Sequence, residues 1–275
     1  MDHNSDQRLF SSVNKAAAKV IEKGGIAALI TIIDGAGNVG AKLLVDQENR
    51  LTGDLGEKAL AEAVIRQAAV FLQGREETRV YRGQEFAPEL SAWSTTQLLF
   101  ERIQPEPRLV ICGAGHVGAA LAKLGNFVGY ETTLIDDRPE FVTAKRFERH
   151  PKIELVAAMD WTTAVREAIG NGKGVSVAVV TRGHSQDEEC MRAVVNTNPD
   201  YVGLIGSKRR TSIVLNRIKE AGASEKQLNR VHAPIGLDIR AVTPEEVALA
   251  IMAEIVAQRR GGAGGSLSAW RKSSG

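Results

Sequence analysis

Three glycines spaced as Gly113-Ala-Gly115-His-Val-Gly118 follow an apolar run, Leu109 to Cys112, and open an eleven-residue helical stretch, Val117 to Phe127. A phosphate cradle needs that order. Gly113 allows a tight turn, Gly115 lets a pyrophosphate approach the backbone, and Gly118 lets the helix pack on the strand, while the helix start offers unpaired N–H groups and the positive end of its dipole. A second strand, Glu131 to Ile135, leads into Asp136, 23 positions beyond Gly113. That is close to the roughly 20 expected of an acid that binds ribose hydroxyls. Asp136 and Asp137 would repel a 2′-phosphate and so favour NAD over NADP, whereas the neighbouring Arg138 argues the other way. The imidazole of His116 could meet a phosphate or a substrate, or equally cap the helix or face water. The alternative to binding is the same scaffold with an adapted or empty phosphate site.

The pattern alone is weak, because Gly35-Ala-Gly37-Asn-Val-Gly40 matches it too. There, Ala41 to Val45 runs at once into the turn-forming Asp46 to Asn49 and leaves no room for a crossover helix, so that copy reads as a turn between strands.

Further polar residues gather after other apolar runs. Val175 to Thr181 is followed by Arg182-Gly-His184-Ser-Gln-Asp187, making Thr181, Arg182, His184 and Asp187 candidates, although an Asp at a helix start is ordinarily a cap. Tyr201 to Ile205 is followed by Gly206-Ser207-Lys208-Arg209-Arg210. Cations at a helix start oppose its dipole, so this cluster is a local cost unless an anion joins it; the readings are a phosphate-bearing ligand or a solvated basic face. His232-Ala-Pro-Ile-Gly-Leu-Asp238 is an aperiodic loop of the kind that carries function at the rim of a sheet, or is a structural turn. An NAD-dependent oxidoreductase would use His184 or His232 as acid or base, yet no dehydrogenase signature of the SxxxYxxxK type is visible. A nucleotide-sensing regulator is a third reading.

The elements that must position these residues fall into two blocks. Residues 8–100 predict a helix over Val13 to Ile21, a buried strand over Ile26 to Ile33, a strand over Ala41 to Val45, a helix over Glu57 to Gln73 and a strand over Thr78 to Tyr81, an α+β domain. Residues 101–107 predict a linker, since Pro105 and Pro107 block helix and sheet alike. Residues 108–260 alternate strand and helix, which demands a parallel sheet covered on both faces. The fold class is therefore α/β: a C-terminal Rossmann-like doubly wound sheet preceded by a smaller α+β domain. Thr243-Pro-Glu-Glu246 marks a capped start to a last helix, Pro244 to Arg260, and residues 261–275 predict a flexible tail.

Composition removes other classes. With 275 residues, 43% hydrophobic and 25% charged, the chain is neither disordered nor fibrous. A net charge of +2 is too small to draw nucleic acid over distance. No apolar run approaches the roughly 20 residues of a membrane span, and the polar start lacks a signal-peptide pattern, so a cytoplasmic location is expected. Cys112 and Cys190, the two cysteines, read as reduced packing residues, and no metal site is expected.

Gly113-Ala-Gly-His-Val-Gly118, Tyr201-Val-Gly-Leu-Ile-Gly-Ser-Lys-Arg-Arg210 and His232-Ala-Pro-Ile-Gly-Leu-Asp-Ile239 with Thr243-Pro-Glu-Glu246 together resemble the Rossmann domain of the XdhC/CoxI family. These are accessory proteins for maturation of xanthine dehydrogenase and related molybdenum hydroxylases. The resemblance spans about residues 108–260; Gly40 to Val45 and Gly53-Asp-Leu-Gly56 are similar to the family's N-terminal domain more loosely. It implies binding of molybdenum cofactor (molybdopterin), help in its sulfuration by a cysteine desulfurase, delivery to an apo-hydroxylase, and a homodimer. Where family members commonly carry Gly-Gly-Cys-x-Glu, this chain reads Gly56-Glu-Lys-Ala59, so no thiolate from that place can bind molybdenum; Arg240 stands where the family often has glycine. Phosphate binding by the Rossmann block is the part that carries over most directly.

Overall fold

The computed structural model describes residues 3–74 and 76–268. It divides into two units, one ending at Pro105 and one starting at Glu106.

The first unit contains α1 (His3–Glu22), β1 (Ala27–Asp34), β2 (Lys42–Asp46), β3 (Leu51–Gly53), α2 (Lys58–Gln73), β4 (Thr78–Arg82), the single turn α3 (Gly83–Phe86) and β5 (Gln97–Ile103). Its strands form an antiparallel sheet in the order β3-β2-β1-β5-β4. Alternation divides β1 between two cores. Ala28, Ile30 and Ile32 pack with Leu60, Val64, Ala68 and Phe71 of α2, while Ala27 and Leu29 join Val13 of α1. Covering on both faces explains why this strand reads as an unbroken apolar run rather than an alternating one. Gly35 to Gly40 joins β1 to its antiparallel neighbour β2, as its context predicted, and a side chain at Gly37 would strike the Trp93 ring at 2.5 Å.

One boundary differs from expectation. Residues 101–103, placed by the prolines in a linker over 101–107, belong to β5, which pairs with both β1 and β4. The charged Glu101 and Arg102 disguise it. Arg102 reaches from the strand to the carboxyl end of α2, where its Nη2 donates to the carbonyls of Phe71 (3.0 Å) and Gly74 (2.6 Å), oxygens that a helix end leaves unpaired.

The second unit contains β6 (Arg108–Cys112), α4 (His116–Phe127), β7 (Glu131–Asp136), β8 (Ile153–Ala157), α5 (Trp161–Ile169), β9 (Val175–Val179), α6 (His184–Val195), β10 (Tyr201–Leu204), α7 (Lys208–Glu220), the single turn α8 (Glu225–Leu228), β11 (Val231–His232) and α9 (Pro244–Arg260). The six strands are parallel in the order β11-β10-β9-β6-β7-β8, the doubly wound arrangement. Leu109, Ile111 and Leu134 bury one face against Leu121, Ile251 and Ile255 of α4 and α9; Val110, Ile135 and Val177 bury the other against α5, α6 and α7. Each such side chain contributes about 1.5–3 kcal/mol of burial. Cys112 and Cys190 lie in this second core, and burial, with Cys112 alongside, pushes the Cys190 thiol well above its usual pKa.

The capping box of α9 is formed as expected, Thr243 Oγ1 accepting from the Glu246 amide while Glu246 accepts from the Thr243 amide. Gly261 ends that helix in the left-handed conformation; of the tail predicted over 261–275, residues 269–275 lie outside the described residues. Among the described residues no helix is long and apolar enough to cross a membrane.

Candidate functional site

The doubly wound order puts β6 between β7 and β9, so the chain leaves β6 in one direction and the later strands extend in the other. Ligands bind in the crevice that such a switch opens at the strands' carboxyl ends. Two helices start there, α4 after β6 and α6 after β9, and neither has a side-chain cap. Each leaves first-turn amides for another acceptor.

The Gly113 to Gly118 turn is closely built. Gly113 sits at φ +113°, a conformation open to glycine, and a side chain there would meet the Val180 carbonyl oxygen at 2.6 Å. At Gly118 a Cβ would lie 1.8 Å from the Gly113 oxygen, so only glycine lets α4 start this close to β6. Gly115 is the opposite case, for a Cβ there meets nothing within 4 Å. Its missing side chain faces open space. Between them, Ala114 has both backbone groups held: its amide donates to Asp136 Oδ2 (2.6 Å) and its carbonyl accepts from Arg146 Nη1 (2.6 Å). Arg146 also donates to the Phe141 carbonyl at 2.8 Å and lies over that ring. Sequence reasoning missed Arg146, which stands in a short 3₁₀ turn with no periodic pattern.

Asp136, expected to receive ribose hydroxyls, is buried and already occupied. Oδ1 accepts from the Arg138 amide (3.0 Å) and Nε (2.8 Å), and Oδ2 from the Ala114 amide and Arg138 Nη2 (3.0 Å). Burial raises its pKa, but these donors outweigh it and hold the carboxyl below its usual value. Asp137 accepts from Arg182 Nη2 at 3.0 Å. Thus Gly113, Gly115, Gly118, Asp136, Asp137, Thr181 and Arg182 are brought together, with His116 exposed at the first position of α4 and Val117 packed on the core beside it.

Of the three cations after β10, Arg210 receives an anion, and it is internal. Asp187 of α6 is fully buried; its Oδ2 accepts from Arg210 Nε (3.0 Å) and Nη2 (2.5 Å), and its Oδ1 from Thr181 Oγ1 (2.5 Å). Arg210, expected as counter-charge for a ligand, is therefore an anchor, and Asp187, for which a helix cap is the ordinary expectation, caps nothing: α6 starts after Gly183 without a side-chain cap. Gly206 makes the turn at φ +145°, Ser207 caps α7 by accepting from the Arg210 amide, and Lys208, Arg209 and His184 are exposed.

His232 belongs to a different cluster. Its ring stacks on Tyr201 at 4.6 Å, and its Nδ1 is 3.4 Å from Oε1 of Glu254. Glu254 also accepts from the Tyr201 hydroxyl and from the Gly236 amide (2.8 Å), which fastens the 232–238 loop to α9. Burial and the Glu254 carboxylate drive the Tyr201 phenol far above its usual pKa. Arg240 takes a left-handed conformation, φ +57°, which a glycine adopts at less cost. A cleft of about 690 Å³ lies at the amino ends of β6, β7 and β8, lined by Arg108, Glu131, Thr133, Lys152 and Glu154 among others. It shares no residue with the glycine turn.

In the first unit, Glu57 precedes α2 and accepts from Trp93 Nε1 at 2.5 Å. Both cysteines of the chain lie in the second unit.

The family model of the XdhC Rossmann domain matches residues 109–255, and that of the XdhC and CoxI family matches residues 20–82. The uncharacterized protein YqeB of Escherichia coli K12 is 28% identical over 90% of this chain and 46% of its own length. A probable xanthine dehydrogenase subunit from Bacillus subtilis 168 is 28% identical over 60% of this chain and 47% of its own. The molybdenum cofactor insertion chaperone PaoD of E. coli K12 is 24% identical over 57% and 41% respectively. The chain spans less than half the length of these relatives.

Proposed function

Because the chain belongs to the XdhC and CoxI family, we propose that it is a maturation factor for a molybdenum hydroxylase of the xanthine dehydrogenase or carbon monoxide dehydrogenase type. Its cargo in this reading is molybdenum cofactor or a related phosphorylated pterin or nucleotide, and its task is binding and transfer. The observation that carries the reading is the opening at Gly115: a glycine with empty space where its side chain would be, at the uncapped start of α4. A phosphate seated there would accept from backbone amides and sit at the positive end of the helix dipole. Lys208 and Arg209, exposed at the start of α7, supply cations beyond β10, which β9 separates from β6. The names of the Bacillus and PaoD relatives point to the same class of client and cargo.

The partners that follow from this reading are an apo-hydroxylase and a cysteine desulfurase, with a homodimer in the cytoplasm as the working form. The metal end of the cargo needs another holder than a first-unit thiolate, since both cysteines of the chain lie in the second unit. Calorimetric titration with molybdenum cofactor, with metal-free molybdopterin and with NAD tests the proposal. Binding of the first two is expected, with a loss of at least tenfold on Gly115→Asp, which puts a negative charge in the open space. No binding to any of the three, or binding untouched by Gly115→Asp, overturns it.

A further inference from the structure

A carboxylate offers about four lone-pair positions to donors. At Asp136 the chain's own donors take four: the Ala114 amide, the Arg138 amide, and the Nε and Nη2 of Arg138. A dinucleotide-binding site of this fold uses the corresponding acid to receive the two hydroxyls of the adenosine ribose. Here that acid has nothing left to accept with. We propose that Arg138 is a specificity-determining residue: its guanidinium occupies the ribose position, so the glycine turn takes ligands held by phosphate alone and discriminates against NAD and other nucleotides that depend on a ribose diol. This rests on the reading of the Gly113 to Gly118 turn as a phosphate site and narrows its ligand class.

Two features keep the guanidinium in place. It lies over the Phe141 ring, with Cζ 3.6 Å from the centroid, and its Nε is 3.8 Å from Oδ1 of Asp137. Phe141 is itself fixed, its carbonyl accepting from the Arg146 side chain that also holds Ala114. A ribose diol would have to displace a planar, bidentate, charge-assisted pair and a cation–π contact together, and two neutral hydroxyl bonds are a poor exchange for these. Nor can Asp137 substitute freely, since Arg182 is paired with it.

The full chain is titrated with NAD, with an NAD analogue lacking the 2′ and 3′ hydroxyls of the adenosine ribose, and with molybdopterin. The wild-type protein is expected to bind molybdopterin at least tenfold more tightly than NAD and to treat NAD and its deoxy analogue alike within twofold. Arg138→Leu is expected to gain at least tenfold for NAD and not for the analogue, with molybdopterin changed less than threefold; adding Asp136→Asn removes the gain. A tenfold wild-type preference for NAD over the analogue overturns the proposal even if Arg138→Leu fails to fold, and so does a folded Arg138→Leu with no NAD gain. Those results leave the phosphate reading standing. Failure of the wild-type chain to bind any of the three overturns both.

Discussion

At Arg210 the cost of a cation on a helix amino terminus is offset by a carboxylate from a different helix. Asp187 is fully buried and would be an uncompensated charge without Arg210, which gives a sharp expectation. Arg210→Met destabilises the second unit by about 3–5 kcal/mol, the range for removing one partner of a buried pair. Urea denaturation followed by circular dichroism measures it, and a loss under 1 kcal/mol would show that Thr181 alone satisfies Asp187. Asp136 carries the pH dependence. Its folded pKa is lowered below the ordinary 3.8, so the folded state binds its proton less readily than the unfolded chain. That contribution to stability is complete above the unfolded value and is lost as pH falls through 3.8 toward the folded one. The stability gap between wild type and Asp136→Asn is therefore expected to narrow from pH 5 to pH 3. A gap that stays constant or widens over that range contradicts the donor set assigned to this carboxylate.

The elements around the crevice are held by close approach as much as by apolar burial. Helix α4 can follow β6 so tightly because Gly118 has no side chain to meet the Gly113 carbonyl, while Gly115 faces nothing. The two glycines should thus separate stability from binding. Gly118→Ala forces α4 away from the strand and is expected to cost about 1–3 kcal/mol, as overpacking does. Gly115→Ala meets no atom within 4 Å, and its φ of −62° suits any residue, so it should change stability by less than about 0.5 kcal/mol while weakening phosphate-ester binding. Thermal unfolding and calorimetric titration of the same two variants decide the matter; equal destabilisation would mean that the turn adopts another shape. At this scale the sequence was readable wherever period and punctuation agreed, as in α9 with Thr243 before it and Gly261 after it. It was unreadable at β5, where Glu101 and Arg102 broke the apolar run because the strand end doubles as a cap for α2.

Over the whole molecule each unit closes its own core: one around Ile30, Phe71 and Phe100, the other on the two faces of the parallel sheet. Cooperative blocks of this kind unfold as separate transitions, so scanning calorimetry should give a total enthalpy larger than the van't Hoff value. Gly118→Ala should lower the second unit's transition and leave the first where it is; a single transition with equal enthalpies would show the chain to be one cooperative body. The strand and helix alternation of residues 108–260, the role of Gly113 to Gly118 as the turn between β6 and α4, and the different use of the Gly35 to Gly40 copy were all legible in the sequence, because periodicity and glycine placement are local properties of the chain. What the side chains beyond the strands' carboxyl ends do to one another was decided only by the fold. Asp136 reads as an open acceptor until Arg138 and the Ala114 amide fill it, and Arg210 reads as a ligand's counter-charge until Asp187, 23 residues away, arrives beneath it. Hydrogen-bond capacity is finite, and which donors exhaust it depends on distances that sequence spacing does not contain.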